Sequence, residues 1–336
     1  MKFSQVHGMA RRTGTVVMIG ALMASSGCFL AGSAIGGAVA NKQAKDANEA
    51  DLAADNVPLP KGTGPRKRVG IVAFEDASGG GRWSGEQSLA VVASDAATEM
   101  LVKSEAFIVI EREQLVEVLK EQGLGMTGAI SPQAAAKAGQ LLGLQAIITG
   151  KVMDYDEGQS TSGMVVYASH KRSYTARVSL RMIDTTTGEV WAAETGEGKA
   201  TETSAATAGG SSTSYDNNLG KRALYRAVRK AAGALVGAAN NRPWSATVAK
   251  VAKGRIYVVA GTASGLPAGA KLKVRALGEE ITDPTSGQVI GREVGKTLGT
   301  IEVANHINDK LTMCVVSDGR GFKVGDPVVL DAPTGV

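Results

Sequence analysis

Cys28 is the residue whose side chain and setting point most directly to chemistry. It follows Ala24-Ser25-Ser26-Gly27, a run of small residues at the end of an uncharged stretch that begins at Val16. The residues before that stretch include three basic ones, Lys2, Arg11 and Arg12. A basic region, an apolar core and small residues form the layout of an export signal. Here a cysteine, Cys28, stands at the cleavage point in place of an A-x-A box.

This layout resembles the signal of a bacterial lipoprotein, which implies a signal peptide over residues 1–27 and Cys28 as the acylated first residue. Residue 29 is Phe and not the Asp that resembles an inner-membrane retention signal, so the outer membrane is favoured, with the protein on its periplasmic side. The alternative is an uncleaved transmembrane helix, because Thr13 to Ala40 contains no charge and is long enough to span a bilayer. The half after Cys28 is mostly Gly, Ala and Ser, which favours the lipoprotein.

Enzyme chemistry finds little support among the remaining residues. Only His170 and His306 follow Cys28, and neither has a Cys, Asp or Glu neighbour at metal-ligand spacing. Gly79-Gly80-Gly81 lies between a predicted strand and a predicted helix, where phosphate-binding loops occur, but both glycine-rich fingerprints are incomplete. The G-x-S-x-G elbow of hydrolases is absent. We therefore expect no enzyme activity, no metal and no cofactor.

Composition adds limits on partners and stability. The length of 336 residues predicts two domains. The formal net charge of +5 includes the three basic residues of the leader, so it gives no argument for nucleic acid as a partner. The second cysteine, Cys314, lies in an apolar strand-like run, and a single buried thiol behaves as a small hydrophobic residue. With no disulfide available, stability must come from apolar cores.

The first elements after the leader alternate between strand and helix patterns. Residues 41–67 are polar and lead into Pro58, Pro60 and Pro65, which predicts a lipid-anchored tether over residues 28–67. Val69–Phe74 and Phe107–Ile110 are short apolar runs typical of buried strands, and Glu86–Lys103 has apolar residues at helical spacing. Two further helices are predicted near 115–119 and 131–143. The alternation indicates an α/β domain over residues 68–242.

The second half of that domain predicts β-hairpins and a basic helix. Val178, Leu180 and Met182 alternate with polar residues, which is the period-two pattern of a half-buried sheet. The helix from Leu219 to Ala239 carries three basic residues on one stripe, Arg222, Arg226 and Arg229. They form either a solvated face or a contact with anionic lipid headgroups or a partner.

Residues 243–336 have a different pattern. Arg242-Pro243 ends the preceding helix, and short strands then recur between glycine-rich turns. Such spacing predicts a small all-β barrel or sandwich. The fold class we expect is therefore mixed, α+β or α/β, with β-hairpin extensions followed by a small barrel-like β-domain.

Five motifs between Val69 and Arg242 carry a family resemblance in their order and spacing. They are the strand and acidic exit Val69 to Asp76, Ala96 to Val102, the F-x-x-x-E-R-x-x-L run from Phe107 to Leu115, Ala146 to Val152 followed by Tyr155, and the turn Asp184 to Glu189. Together they resemble the CsgG/HfaB family of outer-membrane lipoproteins, which includes the curli secretion channel. The C-terminal β-domain resembles that of the flagellar assembly protein FlgT, on the runs Ile281 to Gly287 and Gly325 to Val329.

The family resemblance implies a homo-oligomeric ring whose subunits donate two β-hairpins each to a shared transmembrane barrel. The hairpins would fall near 157–178 and 193–217. A loop after the first strand would form the pore constriction, with Trp83, Gln87 and Ser88 as the candidate residues. Charges on both faces of the second hairpin oppose a membrane position, because Arg or Lys facing lipid costs ~2–4 kcal/mol at the midplane.

These observations lead to two functional expectations. The first is an outer-membrane lipoprotein that forms an oligomeric ring for secretion or assembly of an extracellular polymer, with secreted fibre subunits as partners. The alternative is a periplasmic lipoprotein scaffold that docks other envelope proteins, such as a flagellar base or a peptidoglycan synthase, without a pore.

Overall fold

The protein is described by a computed structural model. It describes residues 28–79, 83, 85–110, 115, 117, 142–164, 167–185, 188–207, 210–211, 218–282, 284, 289–293 and 295–331. The predicted signal peptide and most of the two helices predicted near 115–119 and 131–143 lie outside these residues. So do Gly80, Gly81 and Arg82 of the glycine-rich loop.

Helices and one large sheet account for most of the described residues before residue 243. The helices are α1 (Cys28–Ala53), α2 (Leu89–Lys103) and α3 (Leu219–Asn240), with a short 3₁₀ turn at Ala54–Asn56. The strands are β1 (Lys67–Ile71), β2 (Glu75–Asp76), β3 (Phe107–Ile110), β4 (Ala146–Met164), β5 (Tyr167–Asp184), β6 (Val190–Thr207) and β7 (Gly210–Ser211).

The sheet is mixed, in the order β3-β1-β4-β5-β6-β7. β1 lies between β3 and β4 and runs parallel to both, whereas β4, β5, β6 and β7 are successive antiparallel neighbours. One face of this sheet packs against α2 and α3 around the main apolar core. The predicted α/β fold with hairpin extensions is confirmed.

Three strands are much longer than the core they help to form. β4 has 19 residues and β5 and β6 have 18 each, so each extends about 60 Å at ~3.3 Å per residue. On β5, alternate residues from Tyr174 to Met182 are buried, but the same face continues with Arg172 and His170. The outer third of the three-stranded sheet is therefore polar on the face that is apolar lower down. The hairpins predicted near 157–178 and 193–217 fall on β4–β5 and on β6–β7.

Helix α3 lies directly on the backbone of β6. Ala223, Ala227 and Ala231 form a fully buried stripe on the helix, one residue per turn. They face Gly196 and Gly198, where an added Cβ would come within 2.0 Å of the Ala227 carbonyl oxygen and 2.1 Å of the Ala223 carbonyl oxygen, respectively. Small residues on both elements therefore let helix and strand approach each other closely.

The C-terminal part forms a closed antiparallel barrel. Its strands are β8 (Ser245–Ala252), β9 (Arg255–Val258), β10 (Lys271–Arg275), β13 (Thr297–His306), β14 (Thr312–Gly319) and β15 (Pro327–Leu330), and β11 (Glu280–Thr282) pairs separately with β12 (Val289–Arg292). Cys314 is fully buried in the barrel core. The predicted small β-barrel is confirmed.

The barrel is joined to the sheet by hydrogen bonds near the start of β1. The Trp244 indole N–H donates to the Arg66 carbonyl oxygen at 3.2 Å, and the Arg66 amide donates to the Ser264 carbonyl oxygen at 2.7 Å. Val259 of the barrel lies against Gly143, 3.1 Å from where its Cβ would be. The two parts of the chain therefore share a packed junction.

Lys67 is a buried cation at the edge of the main core, and its replacement gives a testable prediction. Its residue surface is 7% exposed, and no carboxylate in the described part of the chain pairs with it. Burial lowers the pKa of its ammonium group below the ordinary value of 10.5. Lys67→Met should therefore raise the free energy of unfolding at neutral pH by about 1 kcal/mol, because the charge no longer has to be desolvated.

The sign of the pH dependence follows from the same shift. The unfolded chain holds the Lys67 proton up to higher pH than the folded chain does, so the penalty is full below the folded pKa. The penalty is relieved as pH rises from the folded pKa towards 10.5. Denaturant titrations at several pH values should thus show the gain of Lys67→Met shrinking at alkaline pH. Lys230→Met, at an exposed position of α3, should change little, and an equal gain there would refute the explanation.

Candidate functional site

Cys28 is the first residue of α1, and α1 packs along the outer edge of β6. Contacts along the pair give their relative direction, since Asn48 meets Thr203 while Asp51, further along the helix, meets Thr201. The helix therefore runs antiparallel to the strand. None of the helices in the described residues is long and apolar enough to cross a membrane.

The side chains of α1 satisfy backbone groups that the edge strand would otherwise leave open. The Asn48 amide accepts a hydrogen bond from the Thr203 N–H at 2.8 Å and donates one to the Thr203 carbonyl oxygen at 3.0 Å. The Thr201 N–H donates to the Asp51 carboxylate at 3.1 Å. Edge strands carry unpaired N–H and C=O groups, and covering them with a helix is one way to prevent pairing with another chain.

Two arginines of α3 hold the same segment by ion pairs. Arg226 Nε donates to Asp55 Oδ1 at 2.6 Å and its Nη1 donates to Asp51 Oδ1 at 2.9 Å. Arg222 Nε donates to Asp55 Oδ2 at 3.2 Å, and its Nη2 donates to Asp51. The Arg226 side chain is 10% exposed and that of Asp51 is 14% exposed, so little water screens this pair.

The electrostatic balance at Arg226 favours its charged form. Burial by itself lowers the pKa of this guanidinium, but hydrogen bonds and charge attraction from Asp51 and Asp55 outweigh burial and raise the pKa above its ordinary value. Arg229, the third basic residue of this stripe on α3, donates a hydrogen bond to the Val57 carbonyl oxygen at 2.8 Å. All three basic residues predicted for lipid or partner contacts thus contact the N-terminal segment of their own chain. A contact with lipid stays a prediction.

The segment expected to be a tether is therefore folded up to Asn56 and docked. Sequence reasoning missed this because α1 docks through polar contacts and has no apolar stripe with helical period. A signal was present in the spacing of polar residues: Asn48, Asp51 and Asp55 recur at helical intervals, and Arg222 and Arg226 lie one turn apart on α3. Only the tertiary structure shows that the two sets meet.

The candidate constriction residues lie in a short loop before α2. The Trp83 indole N–H donates to the Gln87 carbonyl oxygen at 2.6 Å, which closes the loop on itself. Ser88 is the N-cap of α2, and its hydroxyl accepts a hydrogen bond from the Val91 N–H at 3.3 Å. The structure brings these three residues together, and their role in a pore stays a prediction.

The Trp83 ring anchors this loop to the base of the β-hairpins. It meets Tyr155 of β4 edge to face, with 5.6 Å between ring centroids and 88° between planes. Tyr155 in turn lies 5.6 Å from the ring of Tyr174 on β5, and the Arg172 guanidinium lies 5.1 Å over Tyr174. A series of ring and guanidinium contacts, which we call the aromatic row, therefore connects the loop to the polar part of the hairpins.

Tight packing holds the centre of this row in place. A Cβ added at Gly220, at the start of α3, would lie 1.9 Å from the Tyr155 hydroxyl oxygen. Burial raises the pKa of Tyr155 above its ordinary value, so the hydroxyl stays protonated. Arg172 also donates to the largely buried Glu157 at 2.7 Å. Sequence reasoning noted Tyr155 only as a motif residue after the strand Ala146 to Val152 and did not note Tyr174, because only the antiparallel register of β4 and β5 makes the two rings neighbours.

The polar outer part of the hairpins encloses a recess of about 280 Å³. Its lining residues are all polar and come from β4, β5 and β6; they are Gln159, Ser160, Thr161, His170, Lys171, Arg172, Glu202 and Ser204. His170 Nδ1 lies 3.0 Å from the Thr161 hydroxyl. His306, in the barrel, contacts the Thr312 hydroxyl and the Leu266 carbonyl oxygen at 2.6 and 2.9 Å. Within the described ranges, no three potential ligands cluster as a metal site would require.

Several solved structures are similar to parts of this chain, at low identity. A hypothetical protein, CT253, from Chlamydia trachomatis is 17% identical, with 52% of this chain and 98% of that chain covered and a TM-score of 0.32. The lipoprotein GNA1162 from Neisseria meningitidis is 18% identical, with 46% and 90% covered and a TM-score of 0.28.

The PelC dodecamer from Paraburkholderia phytofirmans is 13% identical to this chain, with 55% and 95% covered and a TM-score of 0.28. These scores are too low to carry an argument about function.

No curated protein matches the chain. A family model does: the family described as curli production assembly/transport component CsgG matches residues 50–263, which include the clustered Asp51, Asp55, Arg222 and Arg226. The match spans more than half of the 336 residues, and the chain therefore belongs to the CsgG family.

Proposed function

We propose that this CsgG-family protein is an outer-membrane lipoprotein, acylated at Cys28 on the periplasmic side. It forms a homo-oligomeric ring that secretes or assembles an extracellular surface polymer of the curli or holdfast kind. Its partners are copies of itself and the fibre subunits. The role is one of transport and positioning, without enzyme activity or a cofactor.

The observation that carries this proposal is the shared direction of α1 and the long strands. From the contact between Asn48 and Thr203, α1 continues for 20 residues to Cys28, or about 30 Å. From the same contact, β6 continues only to Thr207, about 13 Å further in the same direction. Tyr167, at the tip of the β4–β5 hairpin, pairs with Thr207. The ends of both hairpins therefore lie in the same direction from this contact as Cys28 does. Acylation of Cys28 would place that end of the protein towards the membrane.

A specific observation favours the second candidate, a periplasmic scaffold without a pore. The face of the three-stranded sheet opposite α3 carries exposed charged residues, including Lys171, Arg177, Glu197 and Lys199. Arg177 joins three strands by pairing with Asp154 at 3.0 Å and Glu197 at 3.6 Å. Such a face suits contact with water or a polar protein surface, and the C-terminal barrel would then dock the other envelope protein.

Accessibility of the hairpin tips separates the two candidates. Single cysteines at Ala168 in β5 and Gly210 in β7 would be treated, in intact cells, with a maleimide too large for porins. Cys314 needs no substitution as background, because it is fully buried and burial raises the pKa of its thiol to about 12, so little reactive thiolate forms. A cysteine at the exposed Lys253 of the barrel serves as the control that stays on the periplasmic side.

We expect both tips to react in intact cells while position 253 reacts only after the outer membrane is permeabilised. Reaction of all three positions only after permeabilisation would overturn the pore and favour the scaffold. Native mass spectrometry of detergent-extracted protein should then give a ring mass with acyl groups on Cys28. A monomer with an unmodified thiol at Cys28 would refute both the ring and the anchor.

A further inference from the structure

The contacts between α1, β6 and α3 form one connected unit, which we call the clasp: Asn48, Asp51 and Asp55 on the N-terminal side and Thr201, Thr203, Arg222 and Arg226 on the other. Its backbone contacts occupy the outward-facing groups of β6 in succession. Arg226 donates a hydrogen bond to the Lys199 carbonyl oxygen, and the Asp51 carboxylate accepts one from the Thr201 N–H. The Asn48 amide accepts a hydrogen bond from the Thr203 N–H and donates one to the Thr203 carbonyl oxygen.

This arrangement resists motion in two directions. The Asn48 amide pairs with Thr203 as a neighbouring strand would, so sliding α1 along β6 breaks two hydrogen bonds at once. Asp51 and Asp55 are each shared by Arg222 and Arg226, so rotating α1 away from α3 separates four charges in a region with little water. Buried, multiply hydrogen-bonded pairs are costly to break, unlike single exposed ion pairs.

We propose that the clasp holds α1 as a rigid arm, so that the body of the protein stands at a fixed distance and angle from whatever Cys28 is attached to. The proposal rests on the lipid anchor of the proposed function for its biological meaning, but the rigidity of the arm can be tested without it. From Cys28 to Asp51 the arm covers 23 residues, about 35 Å of helix. A flexible chain of that length would let the hairpin tips face any direction, whereas a rigid arm gives them one.

The rigidity can be measured as a distance distribution between two spin labels on the full chain. One label replaces Val39, which is 51% exposed on α1, and the other replaces the exposed Thr195 on β6. Cys314 stays in place because it is buried. We expect a single narrow distance in the otherwise native protein. A broad distribution in that protein would overturn the proposal directly.

Variants then assign the rigidity to the clasp. Arg222→Ala with Arg226→Ala should broaden the distribution and raise amide exchange of the Thr201 and Thr203 N–H groups at least tenfold. The matched control is Lys221→Ala with Lys230→Ala, which removes the same charge from exposed positions of the same helix and should change neither measurement. Unchanged distances and exchange in the arginine variant would refute the clasp.

A milder variant covers the case in which the arginine variant fails to fold. Asp51→Asn with Asp55→Asn keeps the side-chain volumes and removes only the charges, and it should also broaden the distance distribution. The measurements are repeated on Cys28→Ser protein. A narrow distribution in both forms, with no acyl group found on native Cys28, would uphold the clasp and refute the anchor. A broad distribution in protein that is acylated would refute the clasp and leave the anchor standing.

Discussion

Replacing Gly198 by alanine is expected to lower the free energy of unfolding by about 3 kcal/mol, among the largest effects of a single methyl group in this chain. The added Cβ would lie 2.1 Å from the Ala223 carbonyl oxygen and 2.3 Å from the Ala227 amide nitrogen, both backbone atoms of α3. Neither atom can move aside without moving the helix. The separation of α3 from β6 would have to increase, which loosens the buried alanine stripe along the whole contact.

The measurement is the midpoint of denaturant unfolding, followed by circular dichroism. Gly237→Ala is the control. Gly237 lies in α3, the helix against which Gly198 of β6 packs, and no neighbouring atom lies within 4 Å of its added Cβ. Alanine is the better helix former there, so this variant should gain ~0.5–1 kcal/mol. The two substitutions are chemically identical and should have opposite signs. If Gly198→Ala were neutral, helix and strand would not be in the close contact described.

Replacing Trp83 by alanine is expected to lower the free energy of unfolding by about 2–3 kcal/mol. The change removes the edge-to-face contact with Tyr155 and the hydrogen bond to the Gln87 carbonyl oxygen. Truncation of a fully buried Trp costs ~3–5 kcal/mol, and Trp83 is only half-buried, so the lower figure applies. The loss would detach the loop before α2 from the base of the hairpins.

Trp83→Phe separates two roles of this side chain, which are anchoring the loop before α2 to the hairpins and lining the proposed pore. Phenylalanine keeps an aromatic ring against Tyr155 but lacks the N–H that closes the loop, so we expect a loss of about 1 kcal/mol. Denaturant unfolding and near-UV circular dichroism would report both variants. Unchanged stability in Trp83→Ala, combined with altered export of a fibre subunit, would contradict the anchoring role and favour a side chain that faces a pore.

Local sequence patterns were enough to predict most of the elements and the fold class. The alternation of Val178, Leu180 and Met182 with polar residues predicts a sheet with one buried face, because side chains point to opposite faces at successive positions. The short strands between glycine-rich turns after Pro243 predict the barrel. Motif order predicts the CsgG family. Each of these inferences uses residues close together in the chain, whose spacing directly reflects backbone geometry.

Local sequence patterns could not predict the clasp, the aromatic row or the close packing of α3 on β6. Asp51 and Arg226 are 175 positions apart, and nothing in either local sequence specifies the other as its partner. Polar docking of α1 leaves no apolar stripe, so its sequence is typical of a tether. The sequence by itself determined most of the elements and the family resemblance, and it predicts the export signal. Only the tertiary structure decided that the N-terminal segment is a docked helix whose first residue lies in the same direction as the hairpin ends. The reason is that burial and charge pairing between distant segments depend on register and not on local pattern.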